Sequence, residues 1–164
     1  LNHILTGTFN SRIFGAARKR GLAYSIFSDT SVGFYDSAWD FTGQVNLETA
    51  EELFDIIVSE LKRVLNGKIS AEDIESAKSY SLGRYQMGAQ TVSQISNFYT
   101  GRYFSDDFVK DYTGVPAAIL AVTDEKIVQV AREFFQANTW VLAGVSCGEK
   151  ELLERIQEKL GALF

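Results

Sequence analysis

The sequence is poor in the residues on which many catalytic sites depend, with one histidine, His3, and one cysteine, Cys147, among 164 residues. A histidine-based zinc site needs a second donor at a definite spacing, and a serine or cysteine triad needs a histidine base beside the nucleophile. Neither is available, so we predict no zinc, no other cofactor and no self-sufficient hydrolytic site in this chain. We expect His3 to be a helix-end residue and Cys147 to be a small buried or strand-end residue.

Three further absences limit the partners. The longest purely apolar run, AAILAV at 117–122, is far shorter than the about 20 residues that cross a bilayer, so no membrane span is predicted. Sixteen lysines and arginines against 21 acidic residues give a net charge of −5, which disfavours nucleic acid and anionic membranes as partners. A single cysteine cannot form an internal disulfide, which fits a reducing compartment, and we expect a cytoplasmic location.

The length and composition predict a single globular domain over residues 1–164, because 46% of the residues are hydrophobic and only one is proline. The chain starts LNHILTG, without an initiator methionine and in what resembles the last turns of an amphipathic helix closed by Gly7. We therefore expect the 164 residues to be a piece of a longer polypeptide, truncated at the N-terminus of the domain.

The periodicity of the first part predicts one helix followed by a hairpin. The helix covers 11–20, carries bases in its last turn and ends at Gly21. Two segments of alternating β-branched and aromatic residues, 22–32 and 37–46, are joined by a turn at 33–36. This pattern is typical of two paired antiparallel strands.

The rest of the chain is predominantly helical. An amphipathic helix beginning near Asn46 has one apolar face, formed by Ala50, Leu53, Phe54, Ile57, Leu61 and Val64. Ser70 and Asp73 predict a capping box for a helix that reaches Met87. Further elements are predicted as helices over 92–105, 115–121, 123–136 and 149–161, and as a strand over 139–146. This order predicts an α+β fold in which one antiparallel or mixed sheet is covered by several helices.

The segment SRIFGAARKRGLAYS, residues 11–25, places three consecutive bases close to a tyrosine where the first predicted helix meets the first strand. With DSAWDFTGQV, VTDEKIVQVAREFF and TWVLAGVS further along, it resembles the C-terminal domain of pitrilysin/insulinase-type zinc peptidases. Bacterial members akin to mitochondrial processing peptidase are the most similar. The resemblance covers nearly the whole chain, and its most specific part is the set Ser-Arg-x-Phe, Arg and Gly-Leu-Ala-Tyr.

In that family the zinc motif H-x-x-E-H lies in the N-terminal half, and the C-terminal half repeats the fold without the metal. The resemblance implies that Arg18 and Tyr24 bind the substrate backbone and hold it against a zinc site in another domain. The implied partners are a peptide substrate and an N-terminal zinc-binding domain or partner subunit of the same fold. Without that partner, an exposed apolar face is expected to favour a homodimer.

The spacing of the two residues departs from the family pattern. The family usually has arginine seven positions before tyrosine, whereas Arg18 is six before Tyr24, and Ala17 is seven before it. If the lost residue falls after Arg18, the register from Ser11 is kept, and we favour this alternative. If the register is kept from Tyr24 instead, Arg18 rotates by about 100° and points elsewhere.

Two functions follow as hypotheses: the non-catalytic, substrate-binding half of a zinc-dependent endopeptidase, or an inactive peptidase-like structural or partner subunit. In the plainer interpretation, Arg18 caps its helix and Tyr24 packs at a strand start. Arg12, Lys19 and Arg20 are expected to be surface charges. One aromatic set is expected to pack as a core face, with lining of a peptide-binding chamber as the alternative: Tyr85, Phe98, Tyr99, Tyr103 and Phe104.

Overall fold

The computed structural model describes residues 1–32, 37–106, 112–136, 139–147 and 150–164. These residues form eight helices and two strands in the order α1 (Asn2–Leu5), α2 (Arg12–Lys19), β1 (Ala23–Val32), β2 (Ser37–Val45), α3 (Ala50–Leu65), α4 (Ala71–Met87), α5 (Val92–Asp106), α6 (Val115–Leu120), α7 (Asp124–Gln136) and α8 (Lys150–Gly161). Short 3₁₀ turns, Leu47–Thr49 and Tyr112–Gly114, precede α3 and α6. The predicted α+β class is confirmed.

The two strands pair as an antiparallel hairpin, as the alternating sequence predicts. The register runs from Ala23 opposite Val45 to Val32 opposite Ser37, with an irregularity between Ala23 and Ser25. The predicted turn at 33–36 lies outside the described residues. On the described part of the chain the sheet has only these two strands, and β1 packs against α1 and α2.

Helix α3 forms the centre of the core. Its buried residues are those of the predicted apolar face, Ala50, Leu53, Ile57, Leu61 and Val64, with Phe54 partly buried beside them. They pack with buried residues of other elements, among them Ile13, Ala17, Leu22, Ile26 and Ala131. Because α2 and the start of β1 both contribute to this cluster, the junction between the helix and the strand is anchored in the close-packed core.

The helix ends are fixed by the caps that the sequence predicts. The Ser70 Oγ accepts a hydrogen bond from the Asp73 amide at 3.1 Å, and the Asp73 carboxylate accepts one from the Ser70 amide, also at 3.1 Å. This reciprocal pair is the predicted capping box of α4. At the start of α7, the Lys126 amide donates to the Thr123 Oγ1 at 3.3 Å, so Thr123 caps this helix.

The predicted strand at 139–146 is wrong, because this segment has no regular secondary structure. Val141 and Val145 are almost completely exposed. Trp140 stacks on Phe164 with ring centroids 5.3 Å apart. A strand-forming composition produces a strand only when a neighbour supplies backbone hydrogen bonds, and no described strand pairs with this segment. Cys147, expected to be buried or at a strand end, is exposed after this irregular segment.

The predicted aromatic face between α4 and α5 is confirmed only in part. Tyr85 stacks on Tyr112 at 4.4 Å, and Phe98 meets the edge of Tyr112 at 4.7 Å. Hydroxyl-to-carbonyl bonds of 3.1 and 2.8 Å join Tyr85 and Tyr112 in both directions. Tyr103 and Phe104 are 56% and 71% exposed, so their assignment to the core is wrong.

Among the described helices, none is long and apolar enough to span a bilayer.

Candidate functional site

The junction between α2 and β1 is a tight turn held by backbone hydrogen bonds. Gly21 has a φ of +65°, the left-handed conformation that glycine adopts without steric cost. The Gly21 amide donates to the Arg18 carbonyl at 3.1 Å, and the Leu22 amide donates to the Ala17 carbonyl at 2.9 Å. These two bonds form a Schellman motif, and its characteristic apolar pair, Leu22 and Ala17, is buried in the core cluster. The turn therefore fixes where the strand leaves the helix.

Arg12, at the start of α2, is held by two carboxylates. Its Nη2 donates to the Asp73 Oδ2 at 2.6 Å, and its Nη1 lies 3.7 Å from the Glu60 Oε2. Its side chain is only 11% exposed, so the expectation of a surface charge is wrong for Arg12. Burial alone would raise the pKa of the Asp73 carboxyl, but hydrogen bonds from Arg12 and Ser70 outweigh it and hold that pKa below its ordinary value. Arg12 therefore joins α2 to α3 and α4.

Arg18 and Arg20, at the other end of α2, have different neighbours. Arg20 forms an ion pair with Glu52 of α3, and the side chains of both residues remain substantially exposed. The guanidinium carbon of Arg18 lies 4.3 Å from the centre of the Phe9 ring. No described carboxylate forms an ion pair with Arg18. A guanidinium that rests on an aromatic face keeps its in-plane N–H groups available for an acceptor.

Tyr24 is 86% exposed at the start of β1. By strict alternation it would point to the same side as Leu22 and Ile26, which are both buried. The irregularity between Ala23 and Ser25 inserts Tyr24 as an extra residue opposite β2, and Ala23 packs against the core instead. The bulge therefore explains why a large aromatic side chain at this position faces outward.

The structure thus places both predicted site residues at one junction, on either side of the Gly21 turn, and exposes both. Arg18 presents a charged donor and Tyr24 a neutral hydroxyl, and neither is engaged by a described carboxylate. Both groups are suited to a peptide carbonyl or to a carboxylate. The convergence of the two on one carbonyl remains a prediction.

The described residues do not fit a zinc ion. They contain no group of three or more histidine, cysteine, aspartate or glutamate side chains that could hold a metal. His3 lies in α1, as expected, and packs edge-on against Tyr80 with ring centroids 4.7 Å apart. Partial burial, reinforced by the positive charges of the chain's amino group and of Arg84, lowers the pKa of His3. We therefore assign no metal-dependent chemistry to the described residues.

Phe9 is the residue of this site that the sequence did not indicate. It precedes Arg18 by nine positions and lies in the loop between α1 and α2, where hydrophobic periodicity carries no information. Its position depends on a close approach between this loop and α2. The only sequence feature near Phe9 is the short Gly-x-Phe segment that follows α1, and such a segment is too common to predict a site residue.

Comparison with known proteins supports the resemblance that this junction suggests. The family model described as the peptidase M16 inactive domain matches residues 1–80, which include the α2–β1 junction and the hairpin. No curated protein sequence matches the chain at a significant level.

Solved structures share the fold over about four fifths of the chain. A conserved protein from Enterococcus faecalis has a TM-score of 0.67 at 21% identity, over 80% of this chain and 31% of its own. A protease from Helicobacter pylori has a TM-score of 0.67 at 18% identity, over 82% of this chain and 33% of its own. The inactive peptidase domain of a candidate zinc protease from Bordetella parapertussis has a TM-score of 0.66 at 15% identity, over 79% of this chain and 71% of its own.

These identities show the fold alone, and the chain spans about a third of the length of the Enterococcus and Helicobacter proteins. The family resemblance depends on the match over residues 1–80, which contains the motif at 11–25. Residues 1–80 therefore match the inactive domain of the M16 peptidases, and the chain shares its fold with the inactive peptidase domain of a candidate zinc protease.

Proposed function

We propose that this domain is the substrate-binding, non-catalytic half of a zinc-dependent endopeptidase. The metal would be held by an N-terminal domain or a partner subunit of the same fold. The observation that carries the proposal is the exposure of Arg18 and Tyr24 on either side of the Gly21 turn, within the segment that matches the family.

The physical case depends on what the two side chains are free to do. Tyr24 is directed outward by a bulge, and Arg18 is supported by an aromatic ring instead of being neutralised by an acid. Donors fixed in this way can bind carbonyl oxygens along an extended peptide without first breaking an ion pair. Hydrogen bonds from a charged donor contribute about 1.5–3 kcal/mol, enough for one residue to dominate the orientation of a peptide.

A binding measurement tests the proposal. The complete protein with its zinc-binding partner is treated with EDTA to stop cleavage and titrated against fluorescein-labelled β-casein, a disordered polypeptide. We expect Arg18→Ala to weaken binding by about tenfold or more, while Arg20→Ala, the matched control at a residue already paired with Glu52, leaves it nearly unchanged. Equal affinities for wild type and Arg18→Ala would contradict the assignment.

A second function stays open because of one observation in the sequence. The six-residue interval between Arg18 and Tyr24 is one shorter than the family interval, which would also be expected of a domain released from selection for substrate binding. In that case the domain is an inactive structural or partner subunit that binds other proteins. The complete amino-acid sequence distinguishes the two functions, since a peptidase requires an H-x-x-E-H motif in the same polypeptide or in its partner.

A further inference from the structure

We propose that Phe9 is a positioning residue for Arg18, and that together they form a cation–π shelf that presents the guanidinium to a peptide. This inference depends on the proposed function and adds a residue to that site. The shelf is defined as Phe9, Phe14 and Arg18.

Phe9 is held in place from two sides. Its ring packs against Phe14 of α2, with centroids 5.6 Å apart and planes tilted by 38°. Its backbone lies directly on α2, since a Cβ on Gly15 would come within 2.8 Å of the Phe9 carbonyl oxygen. Only a glycine at position 15 permits this approach, and Gly15 is buried. The loop position is therefore determined by packing.

The loop itself is also tied down. The Ser11 Oγ donates to the Thr8 carbonyl at 2.6 Å, and the Asn10 amide donates to the Thr8 Oγ1 at 3.3 Å. These bonds turn the chain around Phe9, and the residue remains 63% exposed. An exposed phenyl ring that is fixed at its backbone and on one face has little freedom left to lose when a ligand binds.

Of the three arginines in and beside α2, only Arg18 belongs to the shelf, and its neighbours differ from those of the other two. Arg12 and Arg20 are each bound to described carboxylates, whereas the guanidinium of Arg18 lies over a ring. An aromatic face orients a guanidinium without occupying its N–H donors, whereas a carboxylate occupies them. Phe9 thus keeps Arg18 both ordered and available, which is the condition for a preorganised donor.

A double-mutant cycle tests the proposal in the metal-stripped complete protein, with fluorescein-labelled β-casein as the probe. Phe9→Leu should weaken binding by about 3- to 10-fold, the range of a partly desolvated cation–π contact. Phe9→Tyr, which keeps the ring, should bind like the wild type. In an Arg18→Ala background, Phe9→Leu should have no further effect, because its action is exerted through Arg18. Thermal unfolding of each variant establishes that it is folded.

Gly15→Ala provides an independent variant. The added methyl group displaces the Phe9 backbone while leaving all three shelf side chains present, so a loss of affinity similar to that of Phe9→Leu is expected, again only when Arg18 is present. If Arg18→Ala weakens binding but Phe9→Leu does not, or if the Phe9→Leu effect persists without Arg18, the shelf is refuted while the proposed function stands. If Arg18→Ala has no effect, the proposed role of Arg18 fails and the shelf fails with it.

Discussion

At the scale of single residues, three arginines in and beside one short helix have three different environments. Arg12 is largely enclosed between two acids, Arg20 is paired at the surface, and Arg18 rests on an aromatic ring. Their roles should differ accordingly. Arg12 should contribute to stability and Arg18 to peptide binding, whereas Arg20 should contribute little to either.

Arg12→Ala should destabilise the domain by about 2–3 kcal/mol, because it leaves the Glu60 and Asp73 carboxylates without their partner in a largely buried site. Arg20→Ala removes an exposed pair and should cost less than about 1 kcal/mol. Urea unfolding of the two variants beside the wild type measures both changes. Similar losses for the two arginines would show that the buried network does not form.

The lowered pKa of Asp73 predicts a specific acid sensitivity. A carboxyl whose folded-state pKa is depressed contributes stability that is fully present above its unfolded pKa, about 3.9, and is lost as the pH falls through the folded value. The unfolding free energy of the wild type should therefore fall more steeply than that of Asp73→Asn below about pH 4.

Urea unfolding between about pH 7 and pH 3 measures this difference. In an Arg12→Ala background, the pH-dependent effect of the Asp73→Asn substitution should shrink, because the hydrogen bond from Arg12 is the largest of the interactions that lower the pKa of Asp73. Identical pH profiles for wild type and Asp73→Asn would contradict the attribution.

At the scale of the elements, local signals predicted most of what formed. The apolar face of α3, the capping box at Ser70 and the alternation of the hairpin each encode an element within a few neighbouring residues. The strand expected at 139–146 did not form, because a strand depends on a partner that sequence periodicity cannot supply. The junction motif identified Arg18 and Tyr24 as candidate site residues. The bulge at Tyr24 and the contact between Phe9 and Arg18 could not be predicted, because they depend on strand register and on the packing of segments that are separate in sequence.

The bulge that exposes Tyr24 lies beside a close contact between the strands, which makes Gly43 its natural test. A Cβ at position 43 would lie 2.8 Å from the Ser25 carbonyl oxygen, so Gly43→Ala should destabilise the domain by about 1–3 kcal/mol. Gly83, inside α4, has open space where its Cβ would be, and Gly83→Ala should stabilise by about 0.5–1 kcal/mol. Thermal unfolding should therefore give shifts of opposite sign, and shifts of the same sign would contradict the described register.

At the scale of the whole molecule, the domain is expected to depend on a partner for its chemistry. The described residues offer no metal-binding group, and the sequence holds one histidine and one cysteine. We therefore predict that the chain alone, washed with chelator and free of affinity tags, retains substoichiometric zinc and cleaves no peptide. Metal analysis that finds one tightly bound zinc per chain would contradict this prediction.

The central claim is that Tyr24 and Arg18 act on substrate and contribute little to folding, and the turnover of Tyr24→Phe tests it most directly. The complete enzyme should lose about 10²–10³ in turnover of fluorescein-labelled β-casein when one donor aimed at developing charge is removed, and Arg18→Ala should lose at least as much. Tyr24→Phe should unfold at the wild-type temperature, because it removes only an exposed hydroxyl. Near wild-type turnover in both variants, at equal zinc content, would show that the pair is structural and would contradict the account.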